Sequence, residues 1–388
     1  MKRSILSLIT IVAFNLVTVG QNPVIEQILN DVNLDSMLYY ASAISGEFPV
    51  GLADTNVTIV SRHKNQPGNA FAADYIEQKL QSFGFTPEVQ SWSATGENIV
   101  ATQSGLEYPN QKYVICAHYD AMPTIVAPAA DDDGSGTATL IELARILSQY
   151  EFVFTIEYCF WDEEEQGLVG SGDYAATAAM NGDSILGVIN MDAIAWDGDG
   201  DNLMRIHTRP TANSEDLAEV AVSVNTAYNI GLDIAVNNPG ASYSDHASFW
   251  NNDIGAILII EDFDNDGNPH YHTTTDLVQY FDTAYYERLS LLSAATISSL
   301  AIPYSATNSV EEIESTHIDH YPDPATDLVY FDLPLGNWIY RIMDINGRLM
   351  ENGKPTSGHV SFSNLETGTY LISFSDGEKK LIQRIVKN

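Results

Sequence analysis

Cysteine is scarce in this chain, with two residues in 388, Cys116 and Cys159. That excludes a scaffold stapled by disulfides. Each stands in an apolar, strand-like run, so buried free thiols are expected, with a bridge between adjacent strands as the alternative. Basic residues are few as well: 17 Lys and Arg face 52 Asp and Glu, a formal net charge of −35. Nucleic-acid affinity comes mainly from Lys and Arg neutralising phosphates, and anionic membrane surfaces also demand basic clusters, so neither partner is expected. The acidic residues are spread along the chain, which makes either a self-repelling soluble surface or a binder of cations. Beyond the N-terminus no stretch reaches the roughly 20 apolar residues of a membrane helix. There is no long internal repeat. What is present is a 45% hydrophobic composition, enough for a sizeable core, in a length that allows two or three domains.

The first twenty residues, MKRSILSLITIVAFNLVTVG, start with Lys2 and Arg3, run apolar from Ile5 to Val19 and end in small Gly20. This is the pattern of a signal peptide over residues 1–20, leaving no membrane span after its removal. Residues 24–47 read as helical, and NAFAADYIEQKLQSF repeats apolar positions at helical spacing until Gly84. Strand candidates then alternate with helices. KYVICAHYD, EFVFTIEYCFWD, SILGVINMDAIA and IGAILIIED are strands, and GTATLIELARILSQY, GSGDYAATAAMN, SEDLAEVAVSVNTAY and TAYYERLSLLSAATISSLA are helices. The fold class expected is α/β, a mostly parallel central sheet flanked by helices. This domain would cover residues 21–302. A polar linker follows over 303–316, then a small all-β, sandwich-like domain over 317–388, punctuated by Asn346–Gly347 and Asp376–Gly377.

In an open α/β sheet, ligands bind beyond the carboxyl ends of the strands. His118 and Asp120 end one predicted strand, Glu164 and Glu165 the next, and Asp192 a third. Asp131, Asp132 and Asp133 lie in a loop opening a helix, and His270 and His272 follow the last strand. Nitrogen and carboxylate ligands without thiolate suit zinc, with manganese or cobalt as alternatives. Two histidines and three carboxylates exceed one tetrahedral site and fit two metals sharing a carboxylate, an arrangement that hydrolyses peptide and phosphate bonds. A lone histidine is more often structural and an acidic run more often a solvated face. Five such pieces, all at strand ends, outweigh that account.

The ordered motifs AHYD, ADDDGSG, WDEEEQGLVGS, NMDAIA and NPHYHTTTD resemble the di-zinc metallopeptidases that include secreted bacterial leucyl aminopeptidases and glutamate carboxypeptidase II, peptidase family twenty-eight of the metallo class. The resemblance covers roughly residues 24–300 and implies their zinc aminopeptidase/phosphorylase-hydrolase-like fold and two Zn2+ per chain. By motif, His118 and Asp192 would hold one metal, and Glu165 and His272 the other. Asp132, three residues before Ser135, would bridge. Asp120 would orient the His118 imidazole. Glu164 would be the general base, and Tyr271 either a donor to the developing oxyanion or an ordinary aromatic of the pocket. The Asp132–Asp133 peptide would be cis, as in family members. Asp162 and Glu163 would flank the site, either solvated or behind the ligands, and His270 would stand outside it. The cysteine-flanked tyrosine of some family members is missing from GASYSDHASFW, where Tyr243 is out of register. Ser244, Asp245 and His246 are consecutive and cannot form a triad.

The function implied is a secreted zinc-dependent exopeptidase, an aminopeptidase acting on peptides with free N-termini. The alternatives are a carboxypeptidase or glutaminyl cyclase on the same fold, or a non-catalytic surface-interaction protein. Loops DGDGDN (197–202) and DFDNDGN (262–268) space carboxylates as calcium loops do but lack the Glu at loop position twelve, so structural Ca2+ competes there with plain polar turns. YPDPATD, DINGR and the final GTYLISFSDGEKKLIQRIVKN resemble the C-terminal sorting domain of the bacterial type IX secretion system. That resemblance implies type IX machinery as a partner and a secreted or outer-surface location reached via the periplasm. A monomer is expected.

Overall fold

The computed structural model describes residues 21–53, 55–304, 318, 320–322, 324–333, 338–344, 349–355, 358–375 and 380–387. The expected signal segment, most of the linker and the two predicted turn pairs of the tail lie outside these residues. The chain divides into two compact units, residues 1–304 and 305–388.

The stretch read as one helix over 24–47 is two, α1 (Pro23–Asp31) and α2 (Leu34–Ile44). Val32 is extended, and Asn33 caps α2 by accepting the Ser36 N–H at 2.9 Å. A short asparagine competes with the helix for backbone hydrogen bonds, so it starts a helix better than it continues one. A hairpin of β1 (Val50–Leu52) and β2 (Thr55–Val57) leads to α3 (Pro67–Ser82), opened by Pro67 where a missing N–H costs nothing.

The main sheet is built from β3 (Glu88–Ser91), β4 (Glu97–Gln103), β5 (Tyr108–His118), β6 (Phe154–Trp161), β7 (Ser184–Met191), β8 (Leu203–His207), β9 (Asp233–Asn237) and β10 (Ala256–Glu261). Between them run α4 (Gly134–Leu147), α5 (Val169–Asn181), α6 (Ser214–Ala227) and the short α7 (His246–Trp250), and α8 (Thr283–Ala301) closes the unit. The strand order is β3-β4-β6-β5-β7-β10-β8-β9. β6, β5, β7 and β10 run parallel at the centre, while β4 and β8 join the flanks antiparallel. The sheet is thus mixed, with a parallel heart.

Alternation of side chains gives that heart two buried faces. Ile115, Phe160, Ile189 and Ile257 join the large core with Leu140, Leu143 and Leu147 of α4 and Leu289 of α8. Val114, Cys116, Cys159, Trp161 and Val188 point the other way, toward Tyr174 of α5 and Phe249 of α7. Cys116 and Cys159 are register partners on β5 and β6, and both are buried free thiols. Helix cover on both sides leaves the strand ends as the accessible edge. There β5, β6 and β7 stop together at His118, Trp161 and Met191.

The second unit comprises β11 (His320–Tyr321), β12 (Leu328–Phe331), β13 (Ile339–Asp344), β14 (Leu349–Gly353), β15 (His359–Ser361), β16 (Gly368–Ser375) and β17 (Lys380–Lys387). They form an antiparallel sheet β11-β12-β15 and another, β14-β13-β16-β17. Val329 and Phe331 of the first share one core with Ile342, Ile372 and Phe374 of the second.

Candidate metal centre and active site

Two groups of side chains meet at the strand ends, His118 with Asp132 and Asp192, and His272 with Asp132 and Glu165. Asp132 belongs to both. Its Oδ1 lies 3.2 Å from His118 Nε2 and its Oδ2 lies 2.9 Å from His272 Nε2. Asp192 Oδ1 is 3.6 Å from His118 Nε2, and Glu165 Oε2 is 3.0 Å from His272 Nε2.

These atoms crowd together. Among the described residues, Asp132 Oδ2, Glu165 Oε1 and His272 Nε2 are buried with no hydrogen bond in the geometry present. A tetrahedral ion with ligands at about 2.0–2.1 Å holds its ligand atoms about 3.3 Å apart. The four separations here, 2.9 to 3.6 Å, bracket that edge. The residues therefore fit two zinc-sized cations joined by one carboxylate.

The electrostatics point the same way. Burial alone would push the His118 imidazole down, but Glu164, Asp120, Asp132 and Asp192 together hold it well above its ordinary range. Burial opposes the same trend at His272, which Asp132 and Glu165 raise to about 10. Burial, then Asp132, pushes the Glu165 carboxyl up to about 7. The pocket calls for positive charge.

Each acidic run is sorted by separate partners. Asp131 accepts the Ala195 N–H at 2.9 Å and the Asn268 amide at 2.8 Å. Asp133 caps α4, accepting the Gly136 N–H at 2.9 Å, and also takes the His118 N–H at 3.2 Å. Only Asp132 is left to face the histidines, and the Asp132–Asp133 peptide is cis. In Asp162–Glu165, Asp162 accepts the Asn69 amide at 2.7 Å and the Glu97 N–H at 3.3 Å, and Glu163 pairs with Lys64 at 3.3 Å. Both are buried, so neither is a solvated flank. Their anchoring turns Glu164 and Glu165 into the cavity. Asp120 fixes that turn, accepting the N–H groups of Glu164 at 3.0 Å and Glu165 at 3.3 Å, while its Oδ1 stands 3.4 Å from His118 Nδ1.

A cavity of about 520 Å³ opens onto the cluster, lined by Glu164, Glu165, Asp192, His272, Leu168 and Tyr271 among others. Burial raises the Glu164 carboxyl well above its usual range; His118 opposes the shift and Asp245, Asp192 and Asp120 add to it. Tyr271, 41% exposed, stacks on His272 with ring centres 3.8 Å apart; partial burial and the carboxylates of Asp132, Asp192, Glu165 and Glu164 raise its phenol, keeping it a proton donor. His270 is outside the cluster, stacked on Tyr280 and bonded to Thr275 at 2.8 Å. His246 bonds the Ala241 carbonyl at 2.9 Å and Ser244 bonds Asn190 at 2.8 Å, so these neighbours form no catalytic triad.

Peptidase family M28 matches residues 98–297, just over half of the chain. The chain belongs to that family. This M28 member also matches the secretion system C-terminal sorting domain over residues 319–388. It is 26% identical over 326 residues to a probable zinc metalloprotease of Pyrenophora teres f. teres, covering 69% of this chain and 67% of that protein. It is 29% identical over 227 residues to leucine aminopeptidase 1 of Paracoccidioides brasiliensis, covering 55% of this chain and 56% of the relative. Among solved structures it is similar to the Legionella pneumophila LapA aminopeptidase, with a TM-score of 0.65, 21% identity and coverage of 75% and 78%. A Porphyromonas gingivalis glutaminyl cyclase gives a TM-score of 0.56 at 20% identity, covering 69% of this chain and 98% of that one.

Sequence reasoning about this M28 chain overlooked the layer behind the ligands. Glu261 accepts the Trp196 N–H at 2.9 Å, and Asn268 and Asp276 both hold the Asp131–Asp132 segment. The available signal was Asp276 at the end of HTTTD, four residues after His272.

Proposed function

We propose that the chain is a secreted zinc aminopeptidase with two Zn2+ per chain. His118 and Asp192 hold one ion, His272 and Glu165 the other, and Asp132 both. The observation that carries this reading is the division of the Asp132 oxygens between His118 and His272 in a cavity that also contains Glu164. Zinc bound there supplies Lewis acidity, which lowers the pKa of water to about 7 and polarises a carbonyl.

The chain's own residues do the rest. Glu164 takes a proton from the attacking water as its oxygen bonds the scissile carbonyl carbon, then delivers it to the amine nitrogen as the C–N bond breaks. Burial, which raises the Glu164 carboxyl, favours its holding a proton between the two steps. Tyr271 donates its phenol hydrogen to the developing oxyanion. Asp120 keeps the His118 imidazole oriented and the Glu164–Glu165 turn in place.

The organisation proposed is a signal peptide over 1–20, the peptidase domain over 21–302, a linker over 303–316 and the sorting domain over 317–388. The mature protein is released outside or held on the outer surface, as a monomer acting on peptides with free N-termini. A structural Ca2+ would take Asp197, Asp199 and Asp266, whose oxygens come within 4.8 Å of one another. A melting temperature that calcium leaves unchanged removes that ion.

The test is mass spectrometry of the zinc-loaded protein acting on two peptides of one sequence, one with a free and one with an acetylated N-terminus. Stepwise loss from the free N-terminus alone is expected. Loss from the C-terminus of both makes it a carboxypeptidase, and no cleavage makes it non-catalytic. The fold likeness to a glutaminyl cyclase carries a second reading. Loss of ammonia from an N-terminal glutamine, with no residue removed, would establish it.

A further inference from the structure

The catalytic cavity has a wall that the reaction does not use. Leu168, Tyr243, Ile260 and Phe263 line it, and so does Asp264. Asp264 is not one of the residues proposed to hold zinc or move a proton. Its side chain is 61% exposed, and its ion pair is with Arg205, whose Nη1 stands 2.9 Å from Oδ2.

Arg205 is already occupied. Its Nε bonds Asp262 Oδ1 at 2.6 Å, and the same Nη1 bonds Asn237 Oδ1 at 3.1 Å. One guanidinium faces two carboxylates, which leaves one negative charge at this wall. Among the described residues, no Lys or Arg lines the cavity to balance it. An apolar substrate side chain placed here would strip water from Asp264 and return no hydrogen bond. A side chain with an aliphatic stem and a cationic end would do the opposite. Its stem would lie on Leu168, Ile260 and Phe263, and its head would meet the carboxylate.

We infer that the enzyme selects peptides whose N-terminal residue is arginine or lysine, with Asp264 receiving the cationic end; the inference rests on the aminopeptidase reading above. The bland account makes Asp264 only a surface partner of Arg205. Arg205 is 12% exposed and divided between two carboxylates, whereas Asp264 is 61% exposed, so water and salt reach the Asp264 end and a substrate guanidinium can approach its carboxylate.

The experiment measures kcat/KM of the full chain, loaded with zinc, on aminoacyl coumarins of Arg, Lys, Leu, citrulline and norleucine. Citrulline and norleucine keep the stems and remove the charge. Arg over citrulline and Lys over norleucine should each favour the cation by on the order of tenfold, as a charge-assisted hydrogen bond provides. Asp264→Asn should bring both ratios down to about one, and Asp264→Lys should carry them below one. Ratios taken within each variant cancel any general loss of activity, and a thermal melt checks that each variant is folded. Wild-type ratios near one, or ratios that both variants leave unchanged, overturn the inference and leave the aminopeptidase reading standing. No hydrolysis of any of the five overturns both.

Discussion

Asp276 accepts the backbone N–H of Asp131 at 3.0 and 3.2 Å and that of Asp132 at 3.2 Å. It lies four residues beyond His272 on the same loop. One carboxylate therefore locks the loop carrying His272 to the segment carrying Asp132, more than 130 positions earlier in the chain. Removing it would leave two buried N–H groups without acceptors, at about 1–3 kcal/mol for each unsatisfied group. Asp276→Ala should lower the melting temperature and weaken zinc by about 10–100-fold, the usual result of losing a group behind a metal ligand. Competition with a graded series of chelators measures the second effect. Unchanged zinc affinity would reduce Asp276 to a stability role.

Glu164 is separable from the metal by substitution. Its carboxyl is proposed to move a proton, and none of the close histidine contacts is made by it. Glu164→Gln keeps the shape and removes the base. Turnover should fall by about 10²–10⁴-fold, the range for losing a general base. Zinc content by elemental analysis should stay near wild type. Loss of the metals in this variant would move Glu164 into the ligand set and the base elsewhere.

How much of this was legible depended on burial. β6, β10 and the C-terminal halves of β5 and β7 are buried, so they read as largely apolar runs whose ends carry the candidate ligands. β3 and β9 are short and half-exposed, and β1 and β2 shorter still, so their sequence carries little signal. Three successive aspartates at 131–133 look equivalent in sequence. The family resemblance singled out Asp132 by its distance from Ser135, but the physical sorting comes from Ala195 and Asn268, far along the chain, which occupy the Asp131 carboxylate, and from Gly136, which occupies Asp133. The same holds for Asp162, whose sequence left open a solvated flank or a place behind the ligands, and which is buried and tied to Asn69 and Glu97.

His246 makes part of the stability pH-dependent. It is fully buried, packs edge-on against Trp250 with centres 4.4 Å apart, and burial pushes its pKa down to about 3. Unfolded, it titrates near 6.5. Between those values the unfolded chain holds a proton that the folded one lacks, so acid favours unfolding. The contribution is complete above about pH 6.5 and is lost as pH falls toward 3, by at most about 1.4 kcal/mol per unit. Urea unfolding at a series of pH values should show a shallower slope for His246→Gln than for wild type between pH 6 and 4. Comparing the two proteins cancels what acid does at the metal centre. Parallel curves would mean that the folded imidazole takes up its proton in that range.

The C-terminal unit makes a prediction about destination rather than chemistry. It has its own core, centred on Phe331, Ile342, Ile372 and Phe374, which shares no residue with the large core of the peptidase unit. Its match over residues 319–388 is to a secretion system sorting domain. A chain ending at Tyr304 keeps every residue of the proposed zinc site and of the large core. It should fold, bind zinc and hydrolyse the same aminoacyl coumarins at close to the full-length rate. In a host with type IX secretion, the full chain should reach the outer surface or the medium, while the truncated chain stays in the periplasm. Fractionation followed by an activity assay separates the outcomes. Truncated enzyme recovered outside at the wild-type level would mean that the unit sorts nothing and serves as a surface- or substrate-binding module.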